Sequence, residues 1–546
     1  MLHEDKLLER INKLTEIGIS LSVETNTPRL LESILIGAIE LSHADAGTLY
    51  TVHQTEQSEA VLKMEFLHNE SLAIHQSNSG SNETAIPDIP LLNQDGSKNC
   101  QNVISYSVNS GETVNIEDVY HHQGFDFSGM RKIADELDYQ PQSMLSIPMK
   151  DHTGAVIGAL QLINAQQEDS HKIIPFSRTV QKLVESLASQ AAIALSNQQL
   201  INEQKNLLES IIQLVATAID DKSPYTGEHC RRVPVLTMML ANAAHETDSG
   251  PLKTFQMTDE DRYELEIAAW LHDCGKITTP EYVIDKATKL ETIHDRVNDV
   301  STRFEVLKCN AEISLIKKYL ANSSYDYSDL EQQVQMELKG IVANLDEELE
   351  FIKKHNSGGE FMAEEDMERI RQIAEKKCQG QSGNSTLLSD NEIYNLTIAK
   401  GTLTPEEREV INHHIVATIN MLEALPFPKH LSNVPEYAGG HHERMDGKGY
   451  PRGLTRNQMS VQARAMGIAD VFEALTARDR PYKKGKTLTE ALKILGFMCK
   501  DNHIDPDLFQ LFIDKKLYQV YADEFMNPRQ IDEVVHSNIP GWISEE

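Results

Sequence analysis

No apolar run in this 546-residue chain reaches the roughly 18 residues that a membrane-spanning helix needs. No membrane span is expected. The first residues, Met1-Leu2-His3-Glu4-Asp5-Lys6, are polar and hold no apolar signal core, which points to the cytoplasm. Cysteine is scarce, with six residues (Cys100, Cys230, Cys274, Cys309, Cys378 and Cys499) and no CxxC pair. That pattern argues for reduced thiols and against a disulfide frame or a structural zinc knuckle. Positive charge is in deficit: 51 Lys and Arg stand against 83 Asp and Glu, a formal net charge of −32. Such a surface repels nucleic acid polymers and anionic membrane. A small anion still fits a cleft where cations and metals reverse the local field.

What is present is ample apolar residue for two or three globular domains. Leu14, Ile17, Ile19, Leu21, Leu30, Leu31, Ile34 and Ile36 recur at helical spacing between about residues 10 and 45. Strands are predicted at 46–52 and 61–66, then at 143–149 and 155–164. Asp151-His152-Thr153-Gly154 turns between the last two. Residues 77–96 are rich in Ser, Asn, Gly and Pro and read as a loop.

The DxxG turn, the strand Val156-Ile157-Gly158-Ala159-Leu160-Gln161-Leu162-Ile163-Asn164 and the upstream Val114-Asn115-Ile116-Glu117-Asp118-Val119-Tyr120 resemble a GAF domain over residues 15–197. The resemblance implies an α/β sensory module that holds an unknown small ligand or none. Residues 176–221 then read as one long helix. Val180, Leu183, Leu187, Ala191 and Ala194 suit a heptad seam, and Leu200, Leu207, Ile211 and Val215 continue an apolar stripe. The expectation is a signalling helix that pairs in a parallel homodimer. The alternative is an amphipathic helix packed on its own domain.

The chemistry centres on Leu271-His272-Asp273-Cys274-Gly275-Lys276, where an adjacent His-Asp pair follows an apolar helical run. The pair offers one nitrogen and two carboxylate oxygens, and one carboxylate is able to bridge two ions. Alone it is weak evidence. Its company is stronger: Glu228-His229 upstream, and downstream a helix opened by Thr404-Pro405-Glu406-Glu407 that carries His413 and His414. Thr404 suits an N-cap and Glu407 a capping box. Then follow Gly439-Gly440-His441-His442-Glu443-Arg444-Met445-Asp446-Gly447-Lys448-Gly449-Tyr450-Pro451, Ala469-Asp470-Val471-Phe472-Glu473-Ala474-Leu475-Thr476 and Arg480-Pro481-Tyr482-Lys483.

This ordered set resembles the HD-GYP family of HD phosphohydrolases over about residues 205–510. The resemblance implies an all-helical domain with a binuclear or trinuclear metal centre, iron or manganese, that hydrolyses a 3′–5′ phosphodiester of a cyclic dinucleotide, chiefly cyclic di-GMP, to linear pGpG. Carried over, His229, His272, Asp273 and Asp470 bind one metal, and Asp273 bridges to a second that His414, His441 and His442 complete. Lys276 neutralises phosphate charge. Arg480 and Lys483 match distal phosphate-binding cations. Asp446, Gly449, Tyr450 and Pro451, with Glu443 and Gly447, line the substrate as a rigid loop. Leu422 selects His414 over an exposed His413. Cys274 reads as a small buried filler.

Three departures from the family pattern stand out. About residues 291–395 are an extra, charged segment that reads as helical with Gly/Ser-rich breaks. One extra residue separates Thr476 from Arg480. Tyr225 stands four before His229, where trinuclear members have Glu, so two divalent metals are expected per chain. Residues 511–546 read as a tail. The expected architecture is therefore multi-domain: an N-terminal α/β GAF sensor, a long connecting helix, and a C-terminal all-α HD-GYP domain with a charged helical insertion. Cyclic GMP-AMP, a nucleotide monoester, or a catalytically silent nucleotide-sensing role are the alternatives.

Overall fold

The computed structural model describes residues 2–544 except 25, 56–59, 78–86, 129, 132–136, 168–169, 223–227, 322–326, 359–360, 381–382 and 478–484. It divides into two compact units, Met1–Leu207 and Leu208–Glu546.

In chain order the first unit holds α1 (Leu2–Val23), α2 (Thr27–Ser42), β1 (Ala44–Gln54), β2 (Ala60–Asn69), β3 (Ile74–Ser77), β4 (Ile89–Pro90), α3 (Val103–Ser110), β5 (Val114–Ile116), β6 (Met144–Lys150), β7 (Val156–Gln166), β8 (Ile173–Ile174) and most of α4 (Arg178–Lys222). The sheet runs β3-β2-β1-β7-β6-β5, with β4 on β2 and β8 on β7. Every pairing is antiparallel. Alternation on β1 and β7 buries Leu49, Leu160 and Leu162 against Leu30, Ile34 and Leu35 of α2 and Val184 and Leu187 of α4. Gly47 makes that contact close, since a Cβ there would lie 2.9 Å from Leu35. The DxxG turn forms as predicted: the Asp151 carboxylate accepts from the Thr153 and Ala155 amides at 2.8 and 2.9 Å, and Gly154 takes φ +87°. A cavity of about 530 Å³ opens beside Thr48, Asn69, Phe127, Tyr139, Met144 and Gln161.

The long helix is real, but its predicted seam splits. Val180, Leu187 and Ala191 are buried in the first unit's own core, while Leu200 and Leu207 stay 46% and 61% exposed. The amphipathic alternative therefore holds for the helix's first turns. Its last turns bring Ile212, Ala216 and Ile219 into the second unit's core.

That unit continues with α5 (His229–His245), α6 (Asp259–Leu271), α7 (Glu281–Ile284), α8 (Val297–Leu320), α9 (Tyr327–Asn356), α10 (Glu364–Ala374), β9 (Lys377–Gly380), β10 (Gly383–Thr386), α11 (Asp390–Leu396), α12 (Pro405–Glu423), α13 (Val434–Gly439), α14 (Val461–Thr476), α15 (Leu488–Lys500), α16 (Pro506–Asp514) and α17 (Leu517–Phe525). Leu236, Leu240, Ala268, Ile468, Phe472, Phe509 and Phe512 form its core. Tyr518, Tyr521 and Ile539 belong to the same core, so the chain beyond residue 510 is packed rather than trailing.

The inserted segment has a core of its own, built from Val300, Phe304, Leu345, Leu349, Ile352, Ile370 and Leu387. Besides its helices α8, α9, α10 and α11, the strands Lys377–Gly380 and Gly383–Thr386 pair as the antiparallel β9–β10 ribbon in a Gly/Ser-rich stretch. Buried lysines fix its base. Lys286 Nζ donates to Asn395 at 2.8 Å and to the Glu407 carboxylate at 2.7 Å. Lys289 Nζ donates to the Leu396 and Ile398 carbonyls at 2.9 and 2.8 Å.

Candidate metal centre

Five helices and two turns bring the site together. α6 starts on a capping box at Thr258 and ends at Leu271, which places His272 at its C-cap and Asp273 at the head of a tight 3-10 turn. α12 starts on the predicted Thr404 capping box with Pro405 in its first turn, and carries His414 two turns further on. The turn and this helix touch at Gly275, where a Cβ would lie 2.0 Å from the His414 carbonyl. The Gly275 amide donates to Thr418 Oγ1 at 2.8 Å, tying the two. α13 ends at Gly439, directly before His441 and His442. α5 begins at His229, and α14 presents Asp470 and Glu473 one turn apart.

Three histidines are aimed by the same device. Nδ1 of His272 donates to the Ala269 carbonyl at 2.7 Å, Nδ1 of His441 to that of Ala438 at 2.6 Å, and Nδ1 of His414 to that of Ile411. Each bond fixes the tautomer and leaves Nε2 as a free electron pair facing the cleft. His229 is aimed by a carboxylate instead: its Nδ1 bonds Glu473, whose other oxygen accepts from Arg232 Nε at 2.7 Å.

The free nitrogens converge on Asp273. His229 Nε2 lies 3.5 Å and His272 Nε2 3.3 Å from its Oδ2, while His414 Nε2 lies 3.2 Å from Oδ1. Asp470 Oδ1 is 3.3 Å from His229 Nε2. The Nε2 atoms of His229, His272, His414 and His441 and the Oδ1 of Asp273 are buried with no hydrogen-bond partner. Buried polar atoms left so in one place are costly unless something binds them. They sort into groups whose donor atoms lie within 4.8 Å of one another: His229 with His272 and Asp470, His272 with Asp273 and His441, and His414 with His441 and His442. Nitrogen and oxygen donors without thiolate fit a divalent metal ion.

Charge follows the same logic. Burial opposes ionisation of Asp273, yet the Lys276 ammonium and the His272 ring carry its carboxyl well below the usual range. Burial likewise opposes ionisation of Asp470, and the neighbouring His229 and His441 rings pull it well below. Glu473 falls to about 2 against its own burial, through His229 and Arg232. Burial, with His414 beside it, lowers His442 to about 4. Burial and the neighbouring His442 hold His441 well below an ordinary imidazole. Neutral rings at His441 and His442 beside ionised carboxylates are the forms that ligate a cation, whereas, against its burial, the Glu473, Asp273 and Asp470 carboxylates hold the His229 imidazole well above its ordinary value.

Other predicted residues fall into place unevenly. Lys276 Nζ bonds Asp273 Oδ2 and lines a cavity of about 250 Å³ with His229, His414, His442, Tyr450 and Asp470. Tyr450 stacks on His442 with centroids 4.9 Å apart. The Asp446 carboxylate accepts from Arg444 Nε at 3.0 Å within its own loop. Gly449 and Pro451 shape the loop: a Cβ at Gly449 would lie 2.4 Å from the Arg444 amide. Glu443 holds that loop by accepting from the Arg452 and Leu454 amides at 2.7 and 2.9 Å. His413 is exposed and His414 buried. Cys274 is buried, and its burial pushes the thiol up to about 11. Arg480, Lys483 and Tyr225 lie outside the described residues. The helix α5 that carries His229 begins at that residue, directly after Glu228 at φ +74°. Glu473 and Arg232 were missed as site residues. The available signal was a shared helix face, each lying three residues after a candidate ligand.

A model described as the GAF domain matches residues 26–195, and one described as the HD domain matches residues 381–508. A cyclic di-GMP phosphodiesterase of Thermotoga maritima is 34% identical over 131 residues, 24% of this chain and 35% of that protein. A 3′3′-cGAMP-specific phosphodiesterase of Vibrio cholerae is 40% identical over 95 residues, 17% of this chain and 22% of that protein. A cyclic di-GMP phosphodiesterase of Pseudomonas aeruginosa is 45% identical over 73 residues, 13% of this chain and 17% of that protein. The chain thus spans at most about a third of these relatives' length. Among the described residues no helix is long and apolar enough to cross a membrane. The chain carries a GAF domain and an HD domain, and its HD part is similar to phosphodiesterases of cyclic dinucleotides.

Proposed function

We propose that the chain is a metal-dependent phosphodiesterase that opens cyclic di-GMP to linear pGpG under the control of its GAF domain. One observation carries this reading: unpartnered imidazole nitrogens converge from both sides on the single carboxylate of Asp273. His229, His272 and Asp470 would hold one divalent metal, His414, His441 and His442 a second, with Asp273 between them. Bound there, such ions supply charge neutralisation at phosphate oxygens and a water made acidic enough to ionise near neutral pH. The chain's own groups do the rest. The Lys276 ammonium lies at the cleft wall, where it meets charge that grows on the phosphoryl oxygens. Tyr450 stacks on His442 and lines the cleft.

Two metals per chain suit cleavage at one phosphate, so the linear dinucleotide should accumulate before any mononucleotide. The test is product analysis of the metal-loaded chain with cyclic di-GMP, cyclic GMP-AMP and cyclic di-AMP in parallel, together with metal analysis. Three ions per chain, or mononucleotide without a lag, contradicts the two-metal reading. No turnover of any of the three contradicts the phosphodiesterase reading. The similarity to a cGAMP-specific enzyme supports cyclic GMP-AMP as the second substrate candidate.

A further inference from the structure

α8 turns Val300 and Phe304 into the insertion's core, and Leu315 on the same side is buried. Its opposite side is apolar as well. Val306, Cys309, Ile313, Ile316 and Leu320 follow one another at steps of three, four, three and four residues. At about 100° per residue they occupy a sector roughly 80° wide. Val306, Ile313 and Leu320 are 37%, 48% and 64% exposed. Cys309 is exposed and Ile316 half-buried. A 3-4 repeat facing away from its own core is the pattern of a helix that meets another helix. No described part of the chain covers it.

The flanks name the occupant. Glu305 and Glu312 border the seam on one side, and Arg303, Asn310 and Lys317 on the other. Arg303 is committed to Glu392 and Glu305 to Lys308. Glu312 and Lys317 are exposed and have no ion-pair partner among the described residues. They stand five apart across the seam, the spacing that joins flanking residues of two parallel helices. In an antiparallel pair the glutamate flanks would face each other. We propose that this seam of α8 pairs in parallel with the same seam of a second copy of the chain, Glu312 of each meeting Lys317 of the other. The seam is about four turns long, below the size of a stable interface. The contact is therefore weak, formed at tens of micromolar and loosened by salt.

In that arrangement the two Cys309 side chains face each other across the seam. The test uses the full chain with Cys100→Ser and Cys378→Ser, leaving Cys309 as the exposed thiol, under mild oxidation at tens of micromolar. A disulfide-linked dimer is expected, absent in Cys309→Ser. Glu312→Lys turns two attractions into two repulsions and should slow cross-linking by about tenfold. Adding Lys317→Glu in the same chain should restore it. Both residues are exposed, so unchanged melting is expected and separates the effect from misfolding. No Cys309-linked dimer overturns the proposal. So does cross-linking indifferent to Glu312→Lys, or one that the double variant fails to restore, since a dimer assembled elsewhere in the chain has no reason to obey this charge swap.

Discussion

Glu473→Gln should weaken metal binding without removing any ligand. The Glu473 side chain is 1% exposed and serves two donors, His229 Nδ1 on one oxygen and Arg232 Nε at 2.7 Å on the other. Glutamine keeps the shape but offers one acceptor and one NH2. Whichever way it turns, an N–H faces either the imidazole N–H or the guanidinium. Arg232 keeps its second partner, Glu228 at 3.0 Å, so its charge is not stranded. One charge-assisted bond lost and one donor facing a donor cost about 2–3 kcal/mol of stability. Released from its carboxylate, His229 loses orientation and basicity, which lowers metal affinity by about 10- to 100-fold. The assay is metal titration of the metal-free chain, with thermal melting of the same sample and turnover at low and saturating metal. Turnover should recover at saturating metal, which a purely structural lesion would not allow. Wild-type metal affinity in Glu473→Gln would refute the reasoning.

Lys276→Ala should keep its metal and lose roughly 100- to 1,000-fold in rate, because it removes a charge at the developing phosphate oxyanion rather than a ligand; a metal-free Lys276→Ala protein would refute that role. His272→Ala or Asp273→Ala should lose both metal and turnover, and near wild-type rate in either would show the centre to be misassigned. The exposed stretch of α4 should hold a parallel homodimer, so Leu200→Gln with Leu207→Gln should shift light scattering toward monomer, whereas a wild type already monomeric at micromolar concentration would refute it. Glu392 falls to about 2 because Arg303 and the Ser389 bonds overcome its burial. The unfolded chain then binds the extra proton first, so the stabilisation, complete above about pH 4.5 and on the order of 2 kcal/mol after screening, drains away as pH falls toward 2. Amide exchange in α11 should follow that slope, and an identical slope in Glu392→Gln would refute it.

Local chemistry was the most legible part of the sequence. Thr404 and Glu407 close their capping box, Asp151 and Gly154 their turn, and His413 is exposed beside a buried His414, as expected. Each depends on neighbours a few residues away. What escaped depends on distance. Val180, Leu187 and Ala191 carry the same spacing whether they meet a second helix or their own sheet, and only the fold decides between these. The β9–β10 ribbon has no apolar alternation to announce it, since Lys377–Thr386 is polar and Gly-rich. Glu473 and Arg232 were overlooked because a search for ligands does not find the groups that aim them. Asp446 was read as lining the substrate, but its carboxylate is used inside its own loop.

The bond between Lys286 and Glu407 has a mechanical meaning. Glu407 closes the cap of α12, and His414 sits seven residues, or about 10 Å, further along the same rigid rod. The near end of that rod is bolted to the base of the insertion, and its middle rests on Gly275 without a side chain between. The base of the insertion and His414 therefore share one rigid element, seated at Gly275 on the turn that carries Asp273.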